Sequence, residues 1–169
     1  MAAGSTPVTT YVGLGSNLEH PQQQVLTACE ALRRLPRTQF LRRSSLYRTA
    51  PMGKTDQPDF VNAVAALSTG LAPGDLLKAL LQIEAEQGRV RSEPNAARTL
   101  DLDLLLVGEL VIHEPGLDVP HPRLHERAFV LVPLAELDPN LNIPGHGVVA
   151  DLLSQVSGQR VTRIDAGSN

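Results

Sequence analysis

Arg98-Thr99-Leu100-Asp101-Leu102-Asp103-Leu104-Leu105-Leu106-Val107 opens in alternation and closes as an unbroken apolar run. Side chains two apart on a strand point to one face. Asp101 and Asp103 therefore share a face, and Leu100, Leu102 and Leu104 share the other. From Leu104 onward both faces are apolar, which predicts a central strand covered on both sides. Two carboxylates sit at its mouth, about 7 Å apart at their Cα atoms. Such a pair repels itself unless a cation lies between the charges. Mg²⁺ takes one or two carboxylates and completes its shell with substrate phosphates, so it suits this pair. Taken alone, Asp-x-Asp reads as two surface charges on a solvated edge strand. The apolar run and the neighbouring arginines shift the reading to metal.

Outward from this strand the chain punctuates itself. Val8 to Leu14 predicts a strand that ends in Gly13-Leu14-Gly15-Ser16-Asn17. A helix from Pro21 to Leu35 carries Val25, Leu26, Cys29 and Leu32 on one stripe, and Pro36 stops it. Phe40 to Arg48 predicts a second strand. A loop of 11 residues, Thr49 to Asp59, leads to a third strand, Phe60 to Leu67. The second helix starts at Pro73, with Asp75 at the positive end of its dipole, and is expected to end near Gly88. A second long loop, Arg89 to Thr99, precedes the Asp-Leu-Asp strand. Leu110 to His113 is expected to fold back as a hairpin partner of that strand. Arg127 to Leu137 and Val149 to Val156 predict two further helices, and Val161 to Ile164 a last short strand. The first six elements run β-α-β-β-α-β. That order is the ferredoxin-like plan of the α+β class: a mostly antiparallel sheet with helices packed on it, here with C-terminal additions.

With 169 residues the chain is expected to form one domain, 1–169, with flexible ends at 1–7 and 166–169. The net charge of −3 and 3% aromatic content argue against a nucleic-acid surface. No stretch approaches the run of about 18 apolar residues needed to span a bilayer, and the N-terminus lacks a signal-peptide pattern. The cytoplasm is the expected location. Cys29, the single cysteine, reads as a packed core thiol. The five histidines show no zinc spacing.

Arg89, Arg91 and Arg98 lie on the second long loop, beside the Asp pair. Guanidinium groups bind phosphate oxygens in a bidentate manner, whereas surface ion pairs contribute only about 0–1 kcal/mol each. Arginines beside a metal strand point to a polyphosphate and to phosphoryl transfer. Glu84 falls on or beside the apolar stripe of the second helix. It reads either as an edge position reaching water or as a buried acceptor for a ligand. Asn62 is polar in an apolar strand, with Phe60 on the same face. It reads either as a satisfied core amide or as a hydrogen-bonding group for a heterocycle stacked on Phe60. Gly13-Leu14-Gly15 lacks the further residues of a dinucleotide fingerprint or P-loop, and reads as a tight turn with Ser16 or Asn17 hydrogen-bonding near the helix start.

Six motifs recur together: Gly13-Leu14-Gly15-Ser16-Asn17-Leu18, Ser45-Leu46-Tyr47-Arg48-Thr49, Asp56-Gln57-Pro58-Asp59-Phe60-Val61-Asn62, Gln87-Gly88-Arg89-Val90-Arg91, Arg98-Thr99-Leu100-Asp101-Leu102-Asp103 and Val119-Pro120-His121-Pro122. In this order and spacing the chain, from about Tyr11 to Ile143, resembles the 6-hydroxymethyl-7,8-dihydropterin pyrophosphokinase family of folate biosynthesis. The resemblance implies an enzyme that moves the β,γ-pyrophosphate of ATP to the pterin's hydroxymethyl group and releases AMP. It implies that Asp101 and Asp103 hold two Mg²⁺ ions and that, with them, Arg89 and Arg98 are catalytic. It places Glu84, Arg89, Arg91, Arg98, Leu104, His121 and Arg127 at the nucleotide. Thr49, Pro51, Met52, Phe60, Asn62 and Phe129 would line the pterin pocket. The partners implied are the two small substrates, with no nucleic acid and no membrane, and a monomer is expected.

The chain departs from many relatives where they carry Arg-Trp-Gly-Pro. Here the stretch is Pro94-Asn95-Ala96-Ala97, in a loop about one residue shorter, and no Trp is available as aromatic cover. Phe60 stands where relatives can have Tyr, which preserves stacking.

Overall fold

The computed structural model describes residues 6–50, 58–91 and 100–164, with the side chains of 88–91 excepted. Its main sheet is built from β1 (Val8–Ser16), β2 (Thr38–Arg43), β3 (Tyr47–Thr49), β4 (Phe60–Thr69), β5 (Leu100–Val107) and β10 (Thr162–Arg163). The strand order is β10-β3-β4-β1-β5, with β2 also paired to β4, and every pairing is antiparallel. Helices α1 (Pro21–Arg33) and α2 (Pro73–Arg91) cover one face, while α3 (Ala128–Leu137) and α4 (Val149–Leu153) cover the other. The α+β, ferredoxin-like plan read from the element order is the observed one.

Strand alternation sorts the core into two layers. Val12, Leu14, Val61, Ala63, Leu102 and Leu104 pack towards α1 and α2. Tyr11, Val64, Ala66 and Leu105 pack towards α3 and α4. The register of β1 against β5 shifts between Tyr11 and Val12, so Leu105 and the adjacent Leu106 both enter the second layer. A bulge of this kind places two consecutive residues against one partner. Cys29 is buried in the first layer, and burial pushes its thiol pKa up to about 11, as a packed thiol requires.

The structure corrects four expectations. β5 is covered on both faces, but it is the terminal strand of the sheet rather than a central one. The expected Phe40–Arg48 strand is divided into β2 and β3. At the break, Ser44 N–H donates to Val64 O at 2.8 Å, while the Ser44 hydroxyl accepts from Val64 N–H at 2.9 Å and donates to Ser45 O at 2.8 Å. A side chain thus replaces the backbone in the ladder for one residue. Helix α2 continues past Gly88 to Arg91, so Arg89 and Arg91 belong to its last turn and not to a loop. Gln87 Nε2 donates to Gln24 O (2.6 Å) and Gln24 Oε1 (3.0 Å), and this tie to α1 holds the turn against the low helix propensity of glycine.

The fourth correction concerns the hairpin expected between β5 and Leu110–His113. β6 (Ile112–Glu114) pairs instead with β7 (Leu117–Val119) as a separate ribbon. Pro115-Gly116 supplies that turn, with Gly116 at φ 80°, the pair that a type II turn favours. A second ribbon, β8 (Asn142–Ile143) with β9 (Gly147–Val148), was not expected, although Pro144-Gly145 marks a turn between its strands. The helix expected over Val149–Val156 is α4 followed by a 3₁₀ turn at Ser154–Val156. Val161–Ile164 does contain a strand, β10, paired with β3.

Candidate active site

The register of the sheet gathers the polar residues on one face. In β1, Gly13 lies opposite Asp103 of β5 and Val64 of β4, and Gly15 lies opposite Asp101 and Asn62. Directly opposed residues of an antiparallel pair share a face. Asp101, Asp103, Asn62 and the two glycines therefore occupy the face that α3 covers further along. Asp101 is exposed and Asp103 partly so, at the end of β5 that lies beyond the apolar cover.

Gly15 is required by contact rather than by backbone angle. A Cβ there would stand 2.8 Å from Asn62 Oδ1. The Asn62 amide lies across Gly15, and its Nδ2 donates to Thr49 Oγ1 at 2.8 Å. Asn62 is buried, and Phe60, two residues earlier, pairs with Thr49 and is partly exposed. Of the two readings of Asn62, the structure shows the satisfied amide: it is buried and held by Thr49, at the end of the sheet where Phe60 is partly exposed. Phe129 of α3 packs at the margin of the second core layer, with the Arg127 guanidinium 5.5 Å from its ring centre.

Glu84 resolves differently. Its Oε2 accepts the Leu102 N–H at 2.6 Å, on the outer edge of β5 between the two aspartates. Burial raises its pKa, the Leu102 hydrogen bond opposes the shift, and the charges of Asp101 and Asp103 add to it. Glu84 thus joins α2 to the acidic strand and does not simply reach water. Leu104 is buried in the α1/α2 layer, so only its backbone is available at the edge of β5.

His121 is tied to the same strand, its N–H donating to Leu105 O at 2.9 Å. The preceding Val119–Pro120 peptide is cis. Burial lowers the His121 pKa, while Asp103 pulls it up and Arg127 and Arg123 push it down. Arg127 sits at the N-cap of α3, not inside the helix. At the strand's other neighbour, Ser16 Oγ accepts the Leu18 N–H at 3.1 Å, the turn hydrogen bond expected of this segment.

Pro51, Met52 and Arg98 lie outside the described residues. Arg89 and Arg91 are placed by their backbone on the last turn of α2, which packs against β5. Among the described residues no group of three or more His, Cys, Asp or Glu is arranged to hold a metal ion. The acidic pair offers two carboxylates only, the donor set of a Mg²⁺ that draws its remaining oxygens from phosphate and water.

Residues 11–139 match the family described as 7,8-dihydro-6-hydroxymethylpterin-pyrophosphokinase (HPPK). The chain belongs to this family. A 2-amino-4-hydroxy-6-hydroxymethyldihydropteridine pyrophosphokinase of Pseudomonas aeruginosa is 50% identical over 91% of this chain and 95% of its own length. The Haemophilus influenzae protein of the same name is 42% identical, over 94% and 99%. Among solved structures, Plasmodium falciparum HPPK-DHPS with pteroate superposes at a TM-score of 0.69 with 14% identity, covering 88% of this chain and 42% of that one. That likeness carries the fold. Membership in the family makes the chain a pyrophosphokinase, a transferase of folate biosynthesis.

Two groups of this pyrophosphokinase carry no signal in the sequence. Glu136 of α3 accepts hydrogen bonds from Ser45 N–H (2.9 Å), Ser45 Oγ (2.8 Å) and Tyr47 OH (2.6 Å), with Arg163 3.9 Å away. Gln159, far down the chain, bonds the backbone on both sides of Arg127. Both link elements distant in sequence, which periodicity cannot detect.

Proposed function

We propose that the enzyme transfers pyrophosphate from Mg²⁺-bound ATP to the hydroxymethyl group of 6-hydroxymethyl-7,8-dihydropterin, giving the pterin diphosphate and AMP. The observation that carries this reading is the shared sheet face. Asp101 and Asp103 lie in register with Gly15 and Gly13, and Gly15 lies in register with Asn62. A site for charged phosphate and a site for a planar, hydrogen-bonding heterocycle are thus separated by one glycine strand.

In this reading Asp101 and Asp103 hold two Mg²⁺ ions, whose chemistry is to neutralise triphosphate charge. Thr49, Phe60, Asn62 and Phe129, with Pro51 and Met52, take the pterin, with Phe60 stacking and Asn62 meeting the ring edge. Glu84, His121, Arg127 and the backbone of Leu104 surround the nucleotide at the β5 edge. Arg89, Arg91 and Arg98 bind its phosphates, Arg89 and Arg98 being catalytic. The pterin hydroxyl oxygen attacks the β-phosphorus in line. The bond from that phosphorus to the bridging oxygen breaks, AMP departs with that oxygen, and the hydroxyl proton is lost. Positioning and fixed charge supply most of the acceleration in such transfers.

A monomeric unit of one domain is part of this proposal, and its oligomeric state is read directly by sedimentation. Among the described residues no helix is long and apolar enough to cross a membrane, and small soluble substrates are consistent with cytoplasmic work. The test is product identity. Incubation with ATP, Mg²⁺ and the reduced pterin alcohol yields AMP and pterin diphosphate in equal amounts. ADP as the nucleotide product would reject pyrophosphate transfer. Asp103→Ala is expected to lower turnover on the order of a hundredfold or more while the chain stays folded. Near-unchanged activity would reject the carboxylate role.

A further inference from the structure

Arg127 occupies a single residue between the 3₁₀ turn Leu124–Glu126 and helix α3, with φ −118° and ψ 111°. Its side chain makes no cap hydrogen bond. Two peptide planes meet at its Cα, and all four of their polar groups are engaged. Arg127 N–H donates to Leu124 O at 3.3 Å, and Arg127 O accepts from Val130 N–H (3.1 Å) and Leu131 N–H (3.0 Å). The other two are held by one side chain: Ala128 N–H donates to Gln159 Oε1 at 2.9 Å, and Gln159 Nε2 donates to Glu126 O at 2.8 Å. A primary amide has one acceptor and one donor side, and here each bonds the plane on one side of Arg127.

Gln159 is itself placed by the core. Its N–H donates to Val156 O at 3.0 Å, and Val156 is buried against α3 and α4. Gln159 lies outside residues 11–139, the stretch that matches the family. It is exposed and contributes little packing.

We infer that Gln159 is a positioning residue for the nucleotide site, fixing the backbone angles of Arg127 and so the direction in which its guanidinium leaves the chain. The inference rests on the assignment of Arg127 to ATP given above. Without Gln159 each plane keeps only the hydrogen bonds at its other polar group, so the peptide units around Arg127 are freer to rotate, and the guanidinium must be ordered when ATP binds. The cost falls mainly on the nucleotide, because the pterin residues Thr49, Phe60 and Asn62 lie on β3 and β4, and only Phe129, held within α3, lies beside Arg127.

The experiment is a double-mutant cycle on the full chain, reading KM for ATP and for the pterin from initial rates. Gln159→Met keeps the length of the side chain and removes both hydrogen bonds. It is expected to raise KM for ATP roughly three- to tenfold and to leave KM for the pterin within about twofold. Gln159→Glu keeps the acceptor for Ala128 N–H and loses the donor to Glu126 O, and its effect is expected to lie between; it carries the test if the Met variant does not fold. In an Arg127→Ala background the Gln159 substitution is expected to add nothing further. An undiminished effect in that background, or equal losses for both substrates, overturns the inference and leaves Gln159 a structural cap. If Arg127→Ala weakens ATP and Gln159→Met does not, the positioning role fails and the site assignment stands. If Arg127→Ala itself leaves ATP unaffected, the assignment fails and takes the inference with it.

Discussion

Asn62 is the residue on which the acceptor side of the proposed site turns. Its polarity within β4 was visible in the sequence, but its partner was not, because Thr49 lies 13 positions away on another strand. Gly15 explains how the amide fits: the approach of 2.8 Å to Asn62 Oδ1 leaves no room for a methyl group. Gly15→Ala is therefore expected to displace the amide and raise KM for the pterin about tenfold, with KM for ATP changed far less. The backbone there is not in the left-handed region, so thermal melts should show only a small loss of stability. A large drop in melting temperature with an unchanged pterin KM would show that Gly15 serves the fold alone. Asn62→Ala belongs to the same test and should also weaken the pterin more than ATP. Asp101 and Asp103 were the most readable residues, since a period of two in β5 is enough to put them on one face. Glu84 was only half readable: its place on the stripe was evident, and its bond to Leu102 N–H depends on how α2 docks on β5.

At the scale of elements, β3 is the clearest case of structure that local sequence does not specify. Phe40 to Arg48 reads as one strand, and the break comes from Ser44, whose hydroxyl enters the ladder. The short β3 is then held from across the sheet by Glu136 of α3. Tyr47 is buried, so removing its acceptor strands a phenol hydroxyl. Glu136→Ala is expected to cost about 1–3 kcal/mol of stability, read from urea or thermal unfolding. A loss too small to measure would show that the contact is incidental. The pH dependence has a definite sign. Partial burial works to raise the Glu136 pKa, but hydrogen bonds from Tyr47 and Ser45 and the charge of Arg163 outweigh it, and the net shift is below 4.5. The folded state therefore holds this proton less tightly than the unfolded state, and the contribution is complete above that pH and lost as pH falls through the depressed value. Burial and the same hydrogen bond hold the Tyr47 phenol above its ordinary 10.0, which keeps it a donor throughout this range. The stability gap between the wild type and Glu136→Gln should be widest near neutral pH, begin to narrow below about 4.5 and shrink further as pH falls through the depressed value. A gap that is constant from pH 7 to pH 3 would contradict the linkage.

For the molecule as a whole, element order alone gave the ferredoxin-like plan, because two split β-α-β units admit few right-handed arrangements. The places where the reading failed are places where tertiary contact overrides local preference. They are the helical turn beyond Gly88 held by Gln24 and Gln87, the separate ribbon at Pro115-Gly116, and the edge position of β5. That last correction strengthens the functional account. A terminal strand has an outer backbone edge that a central strand lacks; here Glu84 accepts the Leu102 N–H and the His121 N–H donates to Leu105 O, and the proposed nucleotide site lies beside these two residues.

The central claim is that Asp101 and Asp103 hold divalent ions beneath the triphosphate, with the pterin across Gly15. The direct measurement is a crystal structure with Mn²⁺, the pterin alcohol and an ATP analogue bearing a methylene group between its α- and β-phosphorus atoms, which blocks the bond that must break. Anomalous scattering should place Mn²⁺ within about 2.2 Å of carboxylate oxygens of both aspartates, with the β-phosphorus facing the pterin hydroxyl. Metal and triphosphate bound elsewhere, with these two carboxylates uncoordinated, would contradict the account.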